Sequence, residues 1–281
     1  MSKTKLARVI LLTNGNVHAV RVLEGLKNRG LSVDAIVYER SLKLSGYIRR
    51  KGTLVERSRA FLRGLARWSI SPLARIKATR VYSRYCSRVL LVGSLNSATT
   101  RLELRSLKPS WILLGGVGIL TPPILETAEC GVLNSHPGLL PWARGTGVVG
   151  RSLERGYPVG VTCHYVDAGV DTGPIIERRL LSVTGSEHSL KELEVANDLL
   201  AAEIMIDVVE RLLAHNQIPE GVAQDTRFPV CKWLSRAERE TVDRQIQGGL
   251  ARQLFERWQH TCANDGTLRL QLQGVDSGGR M

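Results

Sequence analysis

Ala7-Arg8-Val9-Ile10-Leu11-Leu12-Thr13 runs into Asn14-Gly15-Asn16, and the stretch from His18 to Asn28 then carries Val20, Val22, Leu23 and Leu26 before Gly30. A short apolar run closed by turn residues predicts a buried strand, and the spacing that follows predicts a helix ended by glycine. Val33 to Tyr38 supplies the next strand, which makes the segment a strand, helix, strand unit. The intervening turn is not Gly-x-Gly-x-x-Gly, so it gives no warrant for dinucleotide binding.

Working outward, Arg88 to Val92, Trp111 to Leu114 and Gly131 to Asn134 read as further strands, with helices over Pro122 to Ala128 and Thr146 to Glu154. Gly160 to Tyr165 and Pro174 to Leu181 read as two more strands joined by the loop from Val166 to Gly173. Ser189 with Glu192 is a capping-box pattern, and apolar residues from Leu190 to Leu212 predict a long amphipathic helix to about Ala214. The expected fold class is α/β, an open and mostly parallel twisted sheet with an antiparallel addition near its edge. The expected organisation is a main domain over residues 1–215, with a helical basic insertion at 41–108, and a small C-terminal extension over 216–281. In that extension Arg236 to Trp258 reads as helix despite Gly248-Gly249, and Thr267 to Gln273 alternates like a strand.

At 281 residues, with 43% hydrophobic and 23% charged residues, the chain can bury a sizeable core. No stretch reaches the length of an uncharged membrane-spanning helix, and the start lacks the long apolar core of a signal peptide. The five cysteines contain no Cys-x-x-Cys pair and are expected to be reduced thiols in a cytoplasmic protein. Only His260 with Cys262 approaches metal-ligand spacing, so no metal is expected. The net charge of +13 is concentrated: residues 41–108 hold 16 Lys or Arg against Glu56 and Glu103. Leu54, Ser58, Phe61, Leu62, Leu65 and Trp68 recur there at helical spacing among arginines, a pattern shared by a solvated surface helix and a membrane-surface helix. The segment has no motif for specific nucleic-acid reading, and its arginines between 49 and 88 are candidates for phosphate contact.

The densest polar constellation is Asn134-Ser135-His136-Pro137-Gly138-Leu139-Leu140-Pro141-Trp142-Ala143-Arg144-Gly145. A carboxamide and an imidazole two residues apart share a side of an extended strand. Later come Gly160-Val161-Thr162-Cys163-His164 and a loop with Asp167 and Asp171, either of which the glycines can bring beside the first imidazole. A carboxylate near His136 would orient its ring, while an Asn amide can donate to an oxygen that gains negative charge. The bland readings are a packed turn histidine and an Asx turn. Without a Gly-x-Ser-x-Gly elbow, and with no cysteine beside a base, covalent Ser or Cys catalysis lacks a warrant, and Cys163 reads as core filling.

Residues 131–178 resemble the formyltransferase family that uses 10-formyltetrahydrofolate, whose members act on glycinamide ribonucleotide, methionyl-tRNA and nucleotide-linked amino sugars. The resemblance rests on Asn-x-His-Pro-x-x-Leu-Pro-x-x-Arg-Gly at Asn134 to Gly145, Gly-Val-Thr-x-His at Gly160 to His164, and Asp171-Thr172-Gly173. It implies that Asn134, His136 and Asp171 flank the transferred formyl group, with His164 and Arg144 in support. It also implies that Leu113 to Leu120 form a folate-binding edge, in which Leu114, Gly115, Gly116, Val117, Gly118, Ile119 and Leu120 meet the donor, with Val170 closing the pocket opposite. The implied reaction is attack of an unprotonated amine on the formyl carbon, with Asn134 and protonated His136 stabilising the oxyanion.

Departures from the family's better-known members narrow the acceptor. The turn Thr13-Asn14-Gly15-Asn16 lacks a Ser/Gly-rich phosphate signature, and the tail from Gly221 is near neutral rather than basic. The preferred partner is a small-molecule amine bearing phosphate, such as a nucleotide-linked amino sugar, with the tail as a candidate homodimer surface. The alternatives are hydrolysis of 10-formyltetrahydrofolate, formylation of an amino-acid or peptide amine, and a degenerate protein that binds an anionic partner.

Overall fold

The computed structural model describes residues 7–40, 79–215, 219–262 and 268–270. The amphipathic pattern from Leu54 to Trp68 lies outside the described residues. Two compact units divide the chain, residues 1–129 and 130–281.

The first unit is built on the parallel strands β1 (Val9–Thr13), β2 (Ala35–Glu39), β3 (Val89–Val92) and β4 (Trp111–Gly115), laid side by side as β3-β2-β1-β4. Both β1 and β4 are buried along their whole length, which is why they read as continuous apolar runs rather than alternating ones. Helix α1 (Val17–Asn28) buries Ala19, Val22, Leu23 and Leu26. Its first turn is capped by Asn16, whose side chain accepts from the His18 amide at 3.0 Å. A second helix, α2 (Ala98–Leu107), lies within the stretch expected to be a helical basic insertion, although its own bounds were not singled out. It buries only Thr100, Leu104 and Leu107, one thin stripe inside a charge-rich segment, so its periodicity is faint. Ser97 caps it, accepting from the Thr100 amide at 3.1 Å. The short α3 (Pro122–Leu125) follows β4, with proline in its first turn.

The second unit begins with β5 (Gly131–His136), α4 (Val148–Glu154), β6 (Gly160–Tyr165) and β7 (Ile175–Leu180), followed by α5 (Leu190–His215). Strand β6 runs antiparallel to both β5 and β7, and β7 pairs in parallel with β8 (Leu268–Leu270). Helix α5 packs across β5, β6 and β7. Where it meets β7, Glu177, buried at 3% exposure, is held by Arg179 at 2.7 Å and by Arg211, and Arg179 also binds Asp207. A buried charge carries so large a desolvation cost that this side chain persists only because it is paired.

The start of α5 differs in detail from the expected capping box. Ser189 accepts from the Glu192 amide at 3.3 Å, while the backbone amide that donates to the Glu192 carboxylate, at 2.8 Å, is that of His188. A complete box occurs instead at Ser235 and Glu238, ahead of α6 (Arg236–Gln247). The expected single helix from Arg236 to Trp258 is two helices, because Gly248 ends α6 and Gly249, at φ +85°, turns the chain into α7 (Leu250–Cys262).

Candidate functional site

Antiparallel pairing sets Asn134 opposite His164 and His136 opposite Thr162. The β6–β7 pairing shifts register between Cys163 and His164, with Ile176 of β7 as the extra residue, so the ladder is irregular beside His164. Thr162 then ties down the loop that leaves β5: its hydroxyl donates to Gly138 O at 2.8 Å and accepts from the Leu140 amide at 3.0 Å. Asn197, buried on α5, donates to Pro137 O at 2.9 Å, and Arg178 donates to Leu140 O at 3.2 Å while its guanidinium lies over the Trp142 ring. The loop following His136 is therefore held from β6, β7 and α5 together.

The two imidazoles have fixed tautomers because each faces a backbone carbonyl, which can only accept. His136 Nε2–H donates to Ala143 O at 2.6 Å, leaving Nδ1 to face Asp171 Oδ2 at 3.6 Å. His164 Nδ1–H donates to Tyr165 O at 2.6 Å, leaving Nε2 to accept from Asn134 Nδ2 at 3.2 Å. Burial, with a smaller contribution from the neighbouring His136, pushes the His164 pKa down to about 4, against an opposing pull from Asp171. His164 is thus neutral at pH 7, as its role of acceptor for Asn134 requires. The Asn134 amide is oriented by that bond and retains a second N–H to offer elsewhere.

Asp171 sits at φ +51°, an unusual backbone for a residue with a side chain. Its carboxylate accepts from the Gly145 amide at 2.8 Å and also lies 3.8 Å from His164 Nε2. Asp167, the alternative on spacing, instead organises its own turn by accepting from the Gly169 amide at 3.0 Å and the Thr172 hydroxyl at 2.5 Å. Of the two aspartates, Asp171 is the one brought to both histidines. Gly145 is required twice over: its φ is +95°, and a Cβ there would come within 2.6 Å of Cys231 O.

Arg144 is buried at 7% exposure, and its Nε has no hydrogen-bond partner among the described residues. Val170 is half-buried on the loop before Asp171. Cys163 is fully buried, which pushes its thiol pKa up to about 12 and removes it as a nucleophile at neutral pH.

The residues read as a folate edge lie in the first unit, at the carboxyl end of β4, where open α/β sheets place ligands. Gly115 O accepts from the Thr13 hydroxyl at 2.9 Å, and a Cβ on Gly115 would meet Ala19 at 2.7 Å. Gly116 has φ +75°. Beyond Val117 and Gly118, Asn96 clamps the loop by donating to Ile119 O at 2.9 Å and accepting from the Thr121 amide at 2.8 Å. Leu114 and Leu120 are buried and Ile119 is exposed.

Comparison with known proteins follows the same motifs. The formyl transferase family matches residues 90–209, which include every residue placed around the two histidines above. That match spans 120 of the chain's 281 residues. A methionyl-tRNA formyltransferase from Syntrophomonas wolfei is 28% identical over 161 residues, covering 56% of this chain and 51% of that protein. One from a Cyanothece species is 33% identical over 141 residues, covering 48% of this chain and 41% of that protein. The chain thus spans about half or less of the length of these relatives. In fold, the protein is similar to a sugar N-formyltransferase from a Shewanella species, with a TM-score of 0.55, 12% identity, and coverage of 86% and 88% of the two chains. The formyl transferase segment thus sits within a chain whose α/β fold is that of solved formyltransferases.

Thr162, Arg178 and Asn197 were not singled out from the sequence. Thr162 had a signal in the Gly-Val-Thr-x-His segment, whereas a buried arginine and a buried helical asparagine acquire meaning only once the loop they hold is seen.

Proposed function

We propose that the protein is an N-formyltransferase that moves a formyl group from 10-formyltetrahydrofolate to a primary amine. The observation that carries this reading is the meeting of Asn134, His164, His136 and Asp171 through contacts of 3.2 to 3.8 Å within a segment of the formyl transferase family. The group set suits the donor: an amide N–H for an oxygen that gains charge, and an imidazole backed by a carboxylate for the proton that an amine must lose. 10-Formyltetrahydrofolate supplies an activated formyl group, and Leu114, Gly115, Gly116, Val117, Gly118, Ile119, Leu120 and Val170 are assigned to hold it.

Each residue has a distinct task. Asn134, oriented by neutral His164, directs its second N–H toward the developing negative charge. His136 keeps a proton on Nε2 through Ala143 O, so its Nδ1 is the nitrogen that gains and releases a proton. Asp171 faces that nitrogen from 3.6 Å and orients the ring. Arg144 supports the loop that ends at Gly145.

The chemistry is assigned to residues 1–215, with 216–281 as an extension. The proposed acceptor is a small phosphate-bearing amine, an amino sugar linked to a nucleotide, which accords with the sugar N-formyltransferase that shares the fold across 86% of this chain. A screen of amines with 10-formyltetrahydrofolate, read by product mass, tests this. A nucleotide-linked amino sugar, glycinamide ribonucleotide and methionyl-tRNA are its informative acceptors. Formyl transfer to the sugar supports the assignment, and formate alone would point to hydrolysis instead.

A further inference from the structure

The extension reaches the site as a strap. Pro219 O accepts from the Tyr165 hydroxyl at 2.7 Å, and Val222 pairs with Ile175 through reciprocal backbone bonds of 2.8 and 2.7 Å. Further along, the Cys231 amide donates to Arg144 O at 2.7 Å, and Cys231 O accepts from the Thr146 amide at 3.2 Å. Between these anchors, Gln224 Nε2 donates to Asp171 O at 3.1 Å and to Gly173 O at 2.6 Å. The strap thus grips both loops that meet where Gly145 donates to the Asp171 carboxylate.

From this we infer that Gln224 is a positioning residue for Asp171, holding the turn so that its carboxylate stays beside His136. The physical case begins with the backbone of Asp171, whose φ of +51° is uncommon for a residue with a side chain and is held by the contacts around it. Two carbonyls from either side of this turn converge on a single amide nitrogen, and only a side chain with two N–H donors on one atom can meet both. Those bonds also fix which way the Gln224 amide points. Its Oε1 is left buried without a hydrogen-bond partner among the described residues. An unmatched buried acceptor is unfavourable, so the amide is poorly explained as a source of general stability and well explained by what its donor side holds. Gly173 packs so closely on β6 that a Cβ there would overlap Tyr165 O.

The inference rests on the role proposed for Asp171, and its test has a readout independent of formyl transfer. The probe is the Gly145 backbone amide, observed by NMR and hydrogen exchange in the ¹⁵N-labelled full chain. Asp171→Gly, which removes the carboxylate and tolerates the positive φ, defines the signal of an unpaired Gly145 amide. In Gln224→Met the Gly145 amide is expected to move toward that signal and to exchange about tenfold faster, while Thr162 and Cys163 on β6 keep their protection. Gln224→Asn, one methylene shorter, gives the same pattern. Gly145 exchange within twofold of the parent in both variants would overturn the inference. So would loss of β6 protection together with Gly145 in both, because Gln224 would then support the fold as a whole.

Kinetics with 10-formyltetrahydrofolate and the amine returned by the acceptor screen add the functional arm. Gln224→Met is expected to lower kcat about tenfold with little change in donor KM, and to have no further effect in an Asp171→Gly background. Equal losses in both backgrounds would contradict positioning through Asp171. Absence of formyl transfer by the parent would strike the proposed function, while the Gly145 amide would still decide the role of Gln224.

Discussion

His136 donates through Nε2 to the carbonyl of Ala143, 2.6 Å away and seven residues further along the same loop. This bond closes the loop on itself and selects the nitrogen that faces Asp171. It also explains Gly138, where a Cβ would come within 2.5 Å of Ala143 O and 2.8 Å of His136 Nε2. Gly138→Ala is therefore expected to force the two apart. A displaced imidazole should lower formyl transfer by about 100-fold, with a stability loss of about 1–3 kcal/mol from crowding. Turnover and urea denaturation of the same preparation check both, and an unchanged turnover would place the reactive nitrogen elsewhere.

His164 makes stability depend on pH in a defined window. Its pKa falls from 6.5 in the unfolded chain to about 4 in the folded one, so between those values the unfolded state binds more protons. The contribution is fully present above pH 6.5 and is lost as pH falls toward 4, leaving the folded state penalised by on the order of 3 kcal/mol. Unfolding free energies measured across this range should rise with pH less steeply in His164→Gln than in the parent. Equal slopes would mean that His164 is not buried as a neutral ring.

Glu177 tests the ion network behind the site. Removing one partner of a buried pair leaves the others charged and desolvated, so Glu177→Ala is expected to cost about 3–5 kcal/mol. Denaturant midpoints, taken with unchanged m-values, give this directly. A loss below about 1 kcal/mol would show that Arg179 and Arg211 find solvent or other partners once Glu177 is gone.

Trp142 stacks on Tyr157 at 5.8 Å between centroids and meets Trp258 edge-on at 5.2 Å, tying α7 to the loop that carries Arg144 and Gly145. Trp258→Ala removes a partly buried aromatic side chain and is expected to destabilise the chain by about 3 kcal/mol. Thermal melting checks the size, and a shift of less than about 2 °C would show that α7 contributes little to this cluster.

The sequence was most informative where one physical requirement acts on one stretch of residues. Val9–Leu12 and Trp111–Leu114 are apolar runs because both faces of each strand are covered, and Asn134 and His136 stand in one motif and His164 in another. It was silent where a residue's meaning depends on a distant backbone. Gln224 lies 53 residues from Asp171 in the chain, in a stretch without periodicity, and nothing local marks the two carbonyls it bonds. The break at Gly248-Gly249 had a local signal, but helix-forming residues on both sides outweighed it until Gly249 was seen at φ +85°. Asp167 and Asp171 are equivalent in spacing; the resemblance points to Asp171, and the turn gives the physical reason, since it consumes the Asp167 carboxylate.

The account stands most directly on transfer of a ¹³C-labelled formyl group from 10-formyltetrahydrofolate to an amine, followed by mass spectrometry for the parent and Asn134→Ala. The parent is expected to yield the labelled N-formyl product. Asn134→Ala is expected to do so about 100- to 1,000-fold more slowly while remaining folded, as for removal of a single oxyanion donor. Labelled product from Asn134→Ala within tenfold of the parent rate, or no labelled amine from the parent with any acceptor, would contradict the account.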